Sequence, residues 1–282
     1  MPKARDIVQR VKVMKTLPNI AVRLTRMISD DSSSLQEFEE VIRLDPTLVL
    51  RLLKIVNSPF YALSTEVESI AEAVAFVGMD NLRNLIVMDI FKHIINTAPS
   101  GSGFSRTNLW RHSAAVGVTS QMISERVFET KGENAFLCGL IHDIGLIIED
   151  QVVPELFMKA FSACTGGEAD ITRHEDAEIG CNHTRVGWHI ARDWHLPPAV
   201  QEGIRDHHAA KIKADPGSIT GVVRIGEYLV NRMDFTPFPG NISPLPQTLL
   251  DHMHSRIRDY KAIAADLPEI LEKADDVFGL DE

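Results

Sequence analysis

Six residues of this 282-residue chain combine metal-binding side chains with positions on predicted inward helix faces. Helical spacing places His112 in one apolar stripe with Val116, and His183 in another with Val186. Burying imidazole or carboxylate groups costs free energy unless partners satisfy them, so we expect the inward-facing groups to converge. The set consists of His112, His142, Asp143, His183, His207 and His208.

This composition of side chains points to metal binding. An imidazole-rich cluster with a carboxylate suits a divalent transition metal, and five histidines with one aspartate offer enough ligands for two ions. Glu227 is a further candidate ligand, because it lies on a predicted inward face between Val223 and Val230. Asp234, seven residues after Glu227, is a weaker alternative.

Each candidate also has a purely structural interpretation. A single buried histidine is more often a hydrogen-bonded core residue than a ligand. The His207–His208 pair would also suit a helix C-terminus, where imidazolium interacts well with the helix dipole. His142 and Asp143 would equally form a buried ion pair. A core of histidines that only hydrogen-bond one another explains the same residues without metal.

The apolar periodicity around these residues is helical almost throughout, and it predicts an all-α protein. Capping boxes that begin at Ser34 and Ser69 predict helix starts, as does the pair Asp45–Pro46. The segment 135–145 is apolar nearly all round and predicts one buried central helix with His142 and Asp143 near its end.

Two stretches of small residues and proline predict the domain boundaries. They are Ala98–Gly103 and the proline-rich segment that begins at Thr236. We therefore expect an N-terminal helical block over 1–98, a helical bundle over 104–235 and a helical tail over 247–282 that packs on the body.

Charge and cysteine content exclude several classes of protein. The formal net charge of −10 argues against binding to duplex nucleic acid, because phosphate neutralisation needs a basic face. No stretch has the length and apolarity of a membrane span or a secretory leader, so no membrane partner is expected. The three cysteines lack a paired spacing, which favours a reducing cytoplasm.

The candidate ligands lie in a pattern that resembles the HD superfamily of helical metal proteins. The stretch Gly139–Gly145 contains the adjacent His-Asp pair. The N-terminal block resembles the HDOD output domains of bacterial signalling proteins, through Asp45-Pro46, Asn57-Ser58-Pro59 and the pattern Ile70-x-x-Ala73-Val74-x-x-x-Gly78. The resemblance runs from about Leu17 to Met233.

This resemblance implies an N-terminal helical block packed on an HD-like helical bundle that holds one or two metal ions, most often iron or manganese. By position, His112 matches the first histidine of the family pattern and His142–Asp143 its His-Asp pair. His183, His207 and His208 match the additional ligands of dinuclear members. Glu227 stands where active members tend to have aspartate.

The chain departs from the hydrolytic members of the superfamily at two places. Leu146 stands where related phosphodiesterases have a lysine suited to phosphate, and residues 209–213 lack their Gly-Tyr-Pro segment. We therefore expect a regulatory module that binds a signalling protein or a small phosphorylated ligand.

The alternative function is metal-dependent hydrolysis of a nucleotide or phosphodiester. In that case Asp143 would be the catalytic residue that bridges the metals, and Arg111, Arg185 or Arg224 would replace the missing lysine.

Overall fold

The computed structural model describes residues 4–7, 27, 35–42, 44–58, 61, 63–97, 104–165, 170–209, 214–237 and 244–278. Over these ranges the chain is all-α, which confirms the predicted fold class, and no strand occurs among them. Ser34, the first residue of a predicted capping box, and the predicted linker Ala98–Gly103 lie outside the described ranges.

Fourteen helices have both of their ends within the described residues. They are α1 (Leu35–Ile42), α2 (Pro46–Val56), α3 (Ile70–Val77), α4 (Met79–Thr97), α5 (Arg106–Val127), α6 (Glu133–Ile141), α7 (Ile144–Val152), α8 (Pro154–Thr165), α9 (Ile171–Glu178), α10 (His183–Asp193), α11 (Pro198–Asp206), α12 (Ile219–Arg232), α13 (Gln247–Ser255) and α14 (Ile257–Phe278).

Two predicted helix starts in the N-terminal block are confirmed by their hydrogen bonds. The Asp45 carboxylate accepts from the backbone N–H of Leu48 at 3.0 Å, where α2 begins. At α3, the Ser69 hydroxyl accepts from the Glu72 N–H at 3.2 Å. The Glu72 carboxylate accepts in turn from the N–H of Glu68, the residue before the N-cap, at 2.9 Å.

The prediction of one continuous helix over 135–145 is wrong. The helix is interrupted at His142 and Asp143, so that α6 ends before them and α7 begins after them. Adjacent residues of a continuous α-helix point about 100° apart, which would carry one of the two side chains away from the other. The break instead brings His142 Nε2 to 3.2 Å from Asp143 Oδ2.

The N-terminal block reaches the bundle through α4, which packs against α5, α6 and α7. The Asn84 side chain donates to the backbone carbonyl of Glu133 at 2.7 Å, and Arg83 donates to the Asn134 side chain at 2.8 Å. Arg83 and Asn84 are both buried. The first turn of α6 is therefore held by side chains of α4.

Helix α5 is the centre of the bundle, and α6, α12 and α14 pack directly on it. The C-terminal helix α14 is tied to α5 by an ion pair between Asp266 and Arg126, 2.5 Å apart. Just before α14, Arg256 donates to the carbonyl of Val127 at 3.2 Å. The three cysteines are buried, and none of them forms a disulfide bond. Among the helices of the described ranges, none combines the length and apolarity needed to span a bilayer.

Candidate metal centre

Five helices bring the predicted ligands to one place inside the bundle. His112 lies in the second turn of α5, the His142–Asp143 pair at the break between α6 and α7, and His183 at the first position of α10. His207 caps the C-terminus of α11 and His208 follows it. All of these residues are buried except His208, whose side chain is 10% exposed.

Two glycines allow the helix backbones to approach closely enough for this convergence. A Cβ atom at Gly139 of α6 would lie 2.8 Å from the carbonyl oxygen of Val116 in α5. A Cβ atom at Gly145 of α7 would lie only 2.1 Å from the carbonyl oxygen of His183 in α10. Since a side chain at either position would collide with backbone, glycine is required to bring His142 toward His112 and Asp143 toward His183.

The Asp143 carboxylate lies between two groups of histidines. Its Oδ1 is 3.3 Å from His183 Nε2 and 3.4 Å from His207 Nε2. Its Oδ2 is 3.2 Å from His142 Nε2 and 3.9 Å from His112 Nε2. One carboxylate therefore presents a different oxygen to each group.

The second ring nitrogen of each of these histidines, Nδ1, faces a hydrogen-bond acceptor. When the ring is neutral, Nδ1 therefore carries the proton and Nε2 keeps a free lone pair. The acceptors are the carbonyls of Phe235 for His112 (2.7 Å), Gly139 for His142 (2.7 Å) and Ile204 for His207 (2.8 Å), and the Glu175 carboxylate for His183 (2.8 Å). Such outer hydrogen bonds orient metal-bound histidines.

When the rings are neutral, as metal ligation requires, the centre holds more acceptors than donors. The Nε2 atoms of His183 and His207 face each other at 3.3 Å, although both are lone-pair atoms in the neutral rings. His142 Nε2 and Asp143 Oδ1 have no hydrogen-bond partner within the described part of the chain. Clustered lone pairs around a carboxylate are unfavourable unless protons or cations lie between them. The donor set therefore fits divalent metal ions.

Candidate ligand atoms form two sets that share Asp143. In each set all atoms lie within 4.8 Å of one another. The sets are Asp143 with His183, His207 and His208, and Asp143 with His112 and His142. Glu227 is buried and lines the same cavity, but it belongs to neither set. Asp234 is exposed in the turn after α12, at a φ of 67°, and does not line the cavity.

Two acidic residues that support the histidines were not predicted. Asp170 pairs with His208 Nδ1 at 3.3 Å, and Glu175 accepts from both the backbone N–H (3.1 Å) and Nδ1–H of His183. A sequence signal did exist for Glu175. It lies four residues from Ile171 and four from Ile179, both buried, and so occupies the inward face of α9.

Charges within the site separate the histidines into two classes. Burial and the neighbouring His208 lower the pKa of His207 to about 4, while burial and His142 lower the pKa of His112. These two rings are neutral at neutral pH and ready to ligate. The remaining three histidines have a raised pKa, because nearby carboxylates outweigh the effect of burial, which alone would lower it. They are His142, His183 and His208. These must release protons when a metal binds.

The two acids of the centre respond in the opposite direction. Burial alone would raise the pKa of Asp143, but His142 and the other imidazoles around it hold that pKa well below its ordinary value. Burial likewise acts to raise the pKa of Glu227, and His208 with His142 lowers it overall. Both carboxylates are therefore ionised at neutral pH, as ligands to a cation would be.

The cavity at the centre is small. Measured as the volume open to the centre of a water molecule it is about 20 Å³, and its walls include His112, Asp143, His208 and Glu227. Such a volume holds a water molecule or an ion, since one water needs roughly 10–15 Å³ by this measure. Leu146 is fully buried in the apolar core. It stands where related phosphodiesterases have a lysine, so this position supplies no cation.

The three arginines considered as replacements for that lysine differ in burial. Arg111 and Arg185 are exposed. Arg224 is buried, donates to the carbonyl of Ala209 at 3.0 Å, and has its pKa lowered by burial in spite of Glu227 and Asp170. Of the three, Arg224 is therefore the buried one, and Glu227 and Asp170 of the site act on its pKa.

Comparison with known proteins gives the family and the fold. The family model for the HDOD domain matches residues 14–210. A protein from Treponema pallidum (strain Nichols), itself uncharacterised, is 26% identical over 208 residues, which cover 73% of this chain and 39% of that protein. The chain thus spans about two fifths of the length of this relative.

Two solved structures share the fold over nearly their whole length. An HDOD domain protein of unknown function from Geobacter sulfurreducens has a TM-score of 0.74 at 22% identity, covering 97% of this chain and 98% of that one. A candidate phosphohydrolase from Shewanella amazonensis has a TM-score of 0.67 at 24% identity, covering 97% and 95%. At these identities the likeness concerns the fold.

Proposed function

Because the chain belongs to the HDOD family, we propose that it is a bacterial, cytoplasmic regulatory module that holds an HD-type pair of divalent metal ions. In this proposal the module acts by binding a signalling protein or a small phosphorylated ligand. The observation that carries it is the buried centre, in which a shared carboxylate and Nε2 lone pairs surround a cavity of about 20 Å³. One water needs roughly 10–15 Å³ by the same measure, so this cavity has room for ions and water.

Each ion has its own ligands in this proposal. His183, His207 and His208 would hold one ion, His112 and His142 the other, and Asp143 would serve both. Iron or manganese is the expected metal, since imidazole and carboxylate donors together suit both. Bound ions would join α5, α10, α11 and the α6–α7 break, and would thereby stabilise the bundle.

Hydrolysis of a phosphodiester or nucleotide is the second candidate, favoured by the retained metal-ligand set and the buried Arg224. Divalent ions in such a site would lower the pKa of a bound water. Asp143 would then hold the ions in place, and Arg224 would supply positive charge near the phosphate. This reaction requires the cavity to open wide enough to admit the substrate.

The deciding experiment measures metal content and hydrolysis on the same sample. The protein is purified without a histidine tag or chelator, and its metals are counted by inductively coupled plasma mass spectrometry. We expect two equivalents of iron or manganese and no hydrolysis of cyclic dinucleotides or nucleotides. Metal-dependent turnover that disappears in Asp143→Asn would favour the hydrolase instead.

A double variant, His142→Ala with Asp143→Ala, separates a metal centre from a structural network. A metal centre predicts that the variant stays folded and loses both ions. The buried pair as a mere structural network predicts unchanged metal content and a cost of roughly 3–5 kcal/mol in the free energy of unfolding. The matched control is Asp150→Asn, which removes a buried carboxylate from α7 outside the centre.

A further inference from the structure

Two polar side chains of the cavity wall come from one face of α12. Glu227 and Asn231 are four residues apart, so they lie one above the other on the same side of the helix. Both line the cavity, and they are only 8% and 9% exposed. Because Glu227 belongs to neither candidate ligand set, this part of the wall is distinct from the atoms expected to contact the ions directly.

The side-chain oxygen of Asn231 is buried without a hydrogen bond. Among the residues that the structure describes, no donor reaches Asn231 Oδ1. Burying an amide oxygen in this way costs free energy, and native proteins satisfy such groups with protein donors or with ordered water. Other polar groups of the same wall have partners, since Asp170 lies 3.3 Å from His208 Nδ1 and His112 Nδ1 lies 2.7 Å from the Phe235 carbonyl. The cavity is the place from which a donor could reach Asn231.

The dimensions of the wall and of the cavity suit one water molecule. The cavity volume of about 20 Å³ exceeds the roughly 10–15 Å³ that one water needs by this measure. Side chains four residues apart on a helix start from Cβ atoms about 5–6 Å from each other. A water that makes two hydrogen bonds of about 2.8 Å spans a similar distance, up to about 5.6 Å. A single water can therefore reach Glu227 and Asn231 together.

The chemistry of the two side chains determines how such a water is oriented. A carboxylate oxygen and an amide oxygen both accept hydrogen bonds, so the water donates one hydrogen to Glu227 and the other to Asn231 Oδ1. Both hydrogens are then used on the α12 side. The lone pairs of the water oxygen face the other walls of the cavity, which include His112, Asp143 and His208. An oxygen lone pair in this direction is a potential ligand for a cation.

We infer that Glu227 and Asn231 form a binding site for one water molecule, with the water oxygen directed at the metal centre. With ions bound as proposed, this water supplies a solvent ligand, and Glu227 then acts on an ion through the water although it belongs to neither ligand set. Asn231 is a positioning residue in this arrangement. The role as a solvent ligand rests on the proposed metal site, whereas the water site itself does not require metal.

The first test is a set of crystal structures of the metal-free full chain at a resolution that shows ordered water. In wild type we expect one water within hydrogen-bond distance of both Glu227 and Asn231. The water should be absent from Asn231→Leu, which replaces the amide by methyl groups of similar volume. It should remain in Glu227→Gln, which keeps an acceptor oxygen at the same place.

The wild-type structure decides the question even if Asn231→Leu does not fold. A wild-type cavity without water would overturn the inference, and so would a water that contacts only one of the two side chains. A water that keeps its place in folded Asn231→Leu would show that Asn231 does not position it.

The second test asks whether this water is a ligand of a bound ion. Protein loaded with one equivalent of manganese in oxygen-17 water is measured by electron–nuclear double resonance, which detects water oxygens bound to the metal. Asn231→Leu should lose one coupled water oxygen relative to wild type. The control is Asn57→Ala, which removes an amide that hydrogen-bonds Val67 in the N-terminal block and should match wild type.

The outcomes separate this inference from the proposed function. If manganese binds and wild type and Asn231→Leu show the same number of coupled water oxygens, the role of the water as a solvent ligand is wrong, while the metal site stands. If wild type binds no manganese, the proposed metal site fails, and the metal-free crystal structures still decide whether Glu227 and Asn231 bind the water.

Discussion

Gly145→Ala is the most direct test of how the helices build the metal centre. The new Cβ would lie 2.1 Å from the carbonyl oxygen of His183 and 2.7 Å from its Cα. Both contacts are with backbone, which cannot rotate away as a side chain would. Since real Cβ contacts are essentially never shorter than 3.0 Å, the two backbones must move apart by about 0.9 Å.

This displacement exceeds what a metal site tolerates. Ligand distances in such sites hold to within about 0.2 Å, so we expect the affinity for manganese to fall at least tenfold. The effect on stability should be smaller. Overpacking costs about 1–3 kcal/mol, and alanine in place of glycine in a helix returns up to about 1 kcal/mol.

Gly187→Ala on α10 is the matched control. Its Cβ would lie 3.0 Å from Cγ2 of Ile204 and 3.3 Å from Cγ2 of Ile144, both side-chain methyl groups. The nearest backbone atom, the nitrogen of Gly145, would be 3.7 Å away, which is an ordinary contact. We expect a change in stability within about 1 kcal/mol and no change in metal affinity. Isothermal titration with manganese and thermal melts of the metal-free proteins measure both quantities. If Gly145→Ala binds manganese as tightly as Gly187→Ala does, the close approach of α7 and α10 does not set the geometry of the centre.

Three further predictions concern stoichiometry, pH and the N-terminal block. Asp143→Asn should lower metal content from two ions to none, whereas His112→Ala should remove only one, because Asp143 belongs to both ligand sets and His112 to one; equal losses in mass spectrometry would contradict this. The three site histidines with a raised pKa hold their protons above pH 6.5, so metal affinity should rise as the pH rises past that value. The same three pKa shifts also affect stability. The contribution of these histidines to the free energy of unfolding of the metal-free protein is complete below pH 6.5 and is lost as the pH rises through their folded pKa values. A free energy of unfolding that stays constant over that pH range would refute this prediction. Asn57→Ala should cost about 1–3 kcal/mol by urea denaturation, because its side chain makes two hydrogen bonds to the backbone of Val67 (2.7 and 2.8 Å), and it should leave metal content unchanged.

The candidate ligands are predictable from sequence because burying a histidine costs free energy. Each of His112 and His183 stands out against an apolar helical stripe, and the energetic cost of burial argues that they converge. The same reasoning identifies Glu227 as an inward residue, and the structure places it on the wall of the cavity. Helical periodicity shows which face of a helix a residue occupies, but not how far its side-chain atoms lie from those of other helices. The sequence therefore does not show that Glu227 lies outside both ligand sets.

The acids behind the ligands are harder to find, because acidic residues on a helix are ordinary. The helix α9 contains both Glu175 and Asp176, and only the buried isoleucines on either side of Glu175 distinguish the two. The break at His142 is invisible for a different reason. The residues on both sides of the break are apolar, so the hydrophobic pattern continues across it. The close backbone contact between α7 and α10 at Gly145 lies just after this turn.

Helix α6 joins two parts of the molecule that have separate roles in the proposed function. Its first turn is held by Asn84 and Arg83 of α4, and its last residue precedes His142 and Asp143. With 9 residues it is a rod about 13 Å long, too short to bend appreciably. A ligand that moved α4 would therefore move the Asp143 carboxylate as well. By thermodynamic linkage, ions bound as proposed would then change the affinity for that ligand by the same factor as the ligand changes the affinity for the ions.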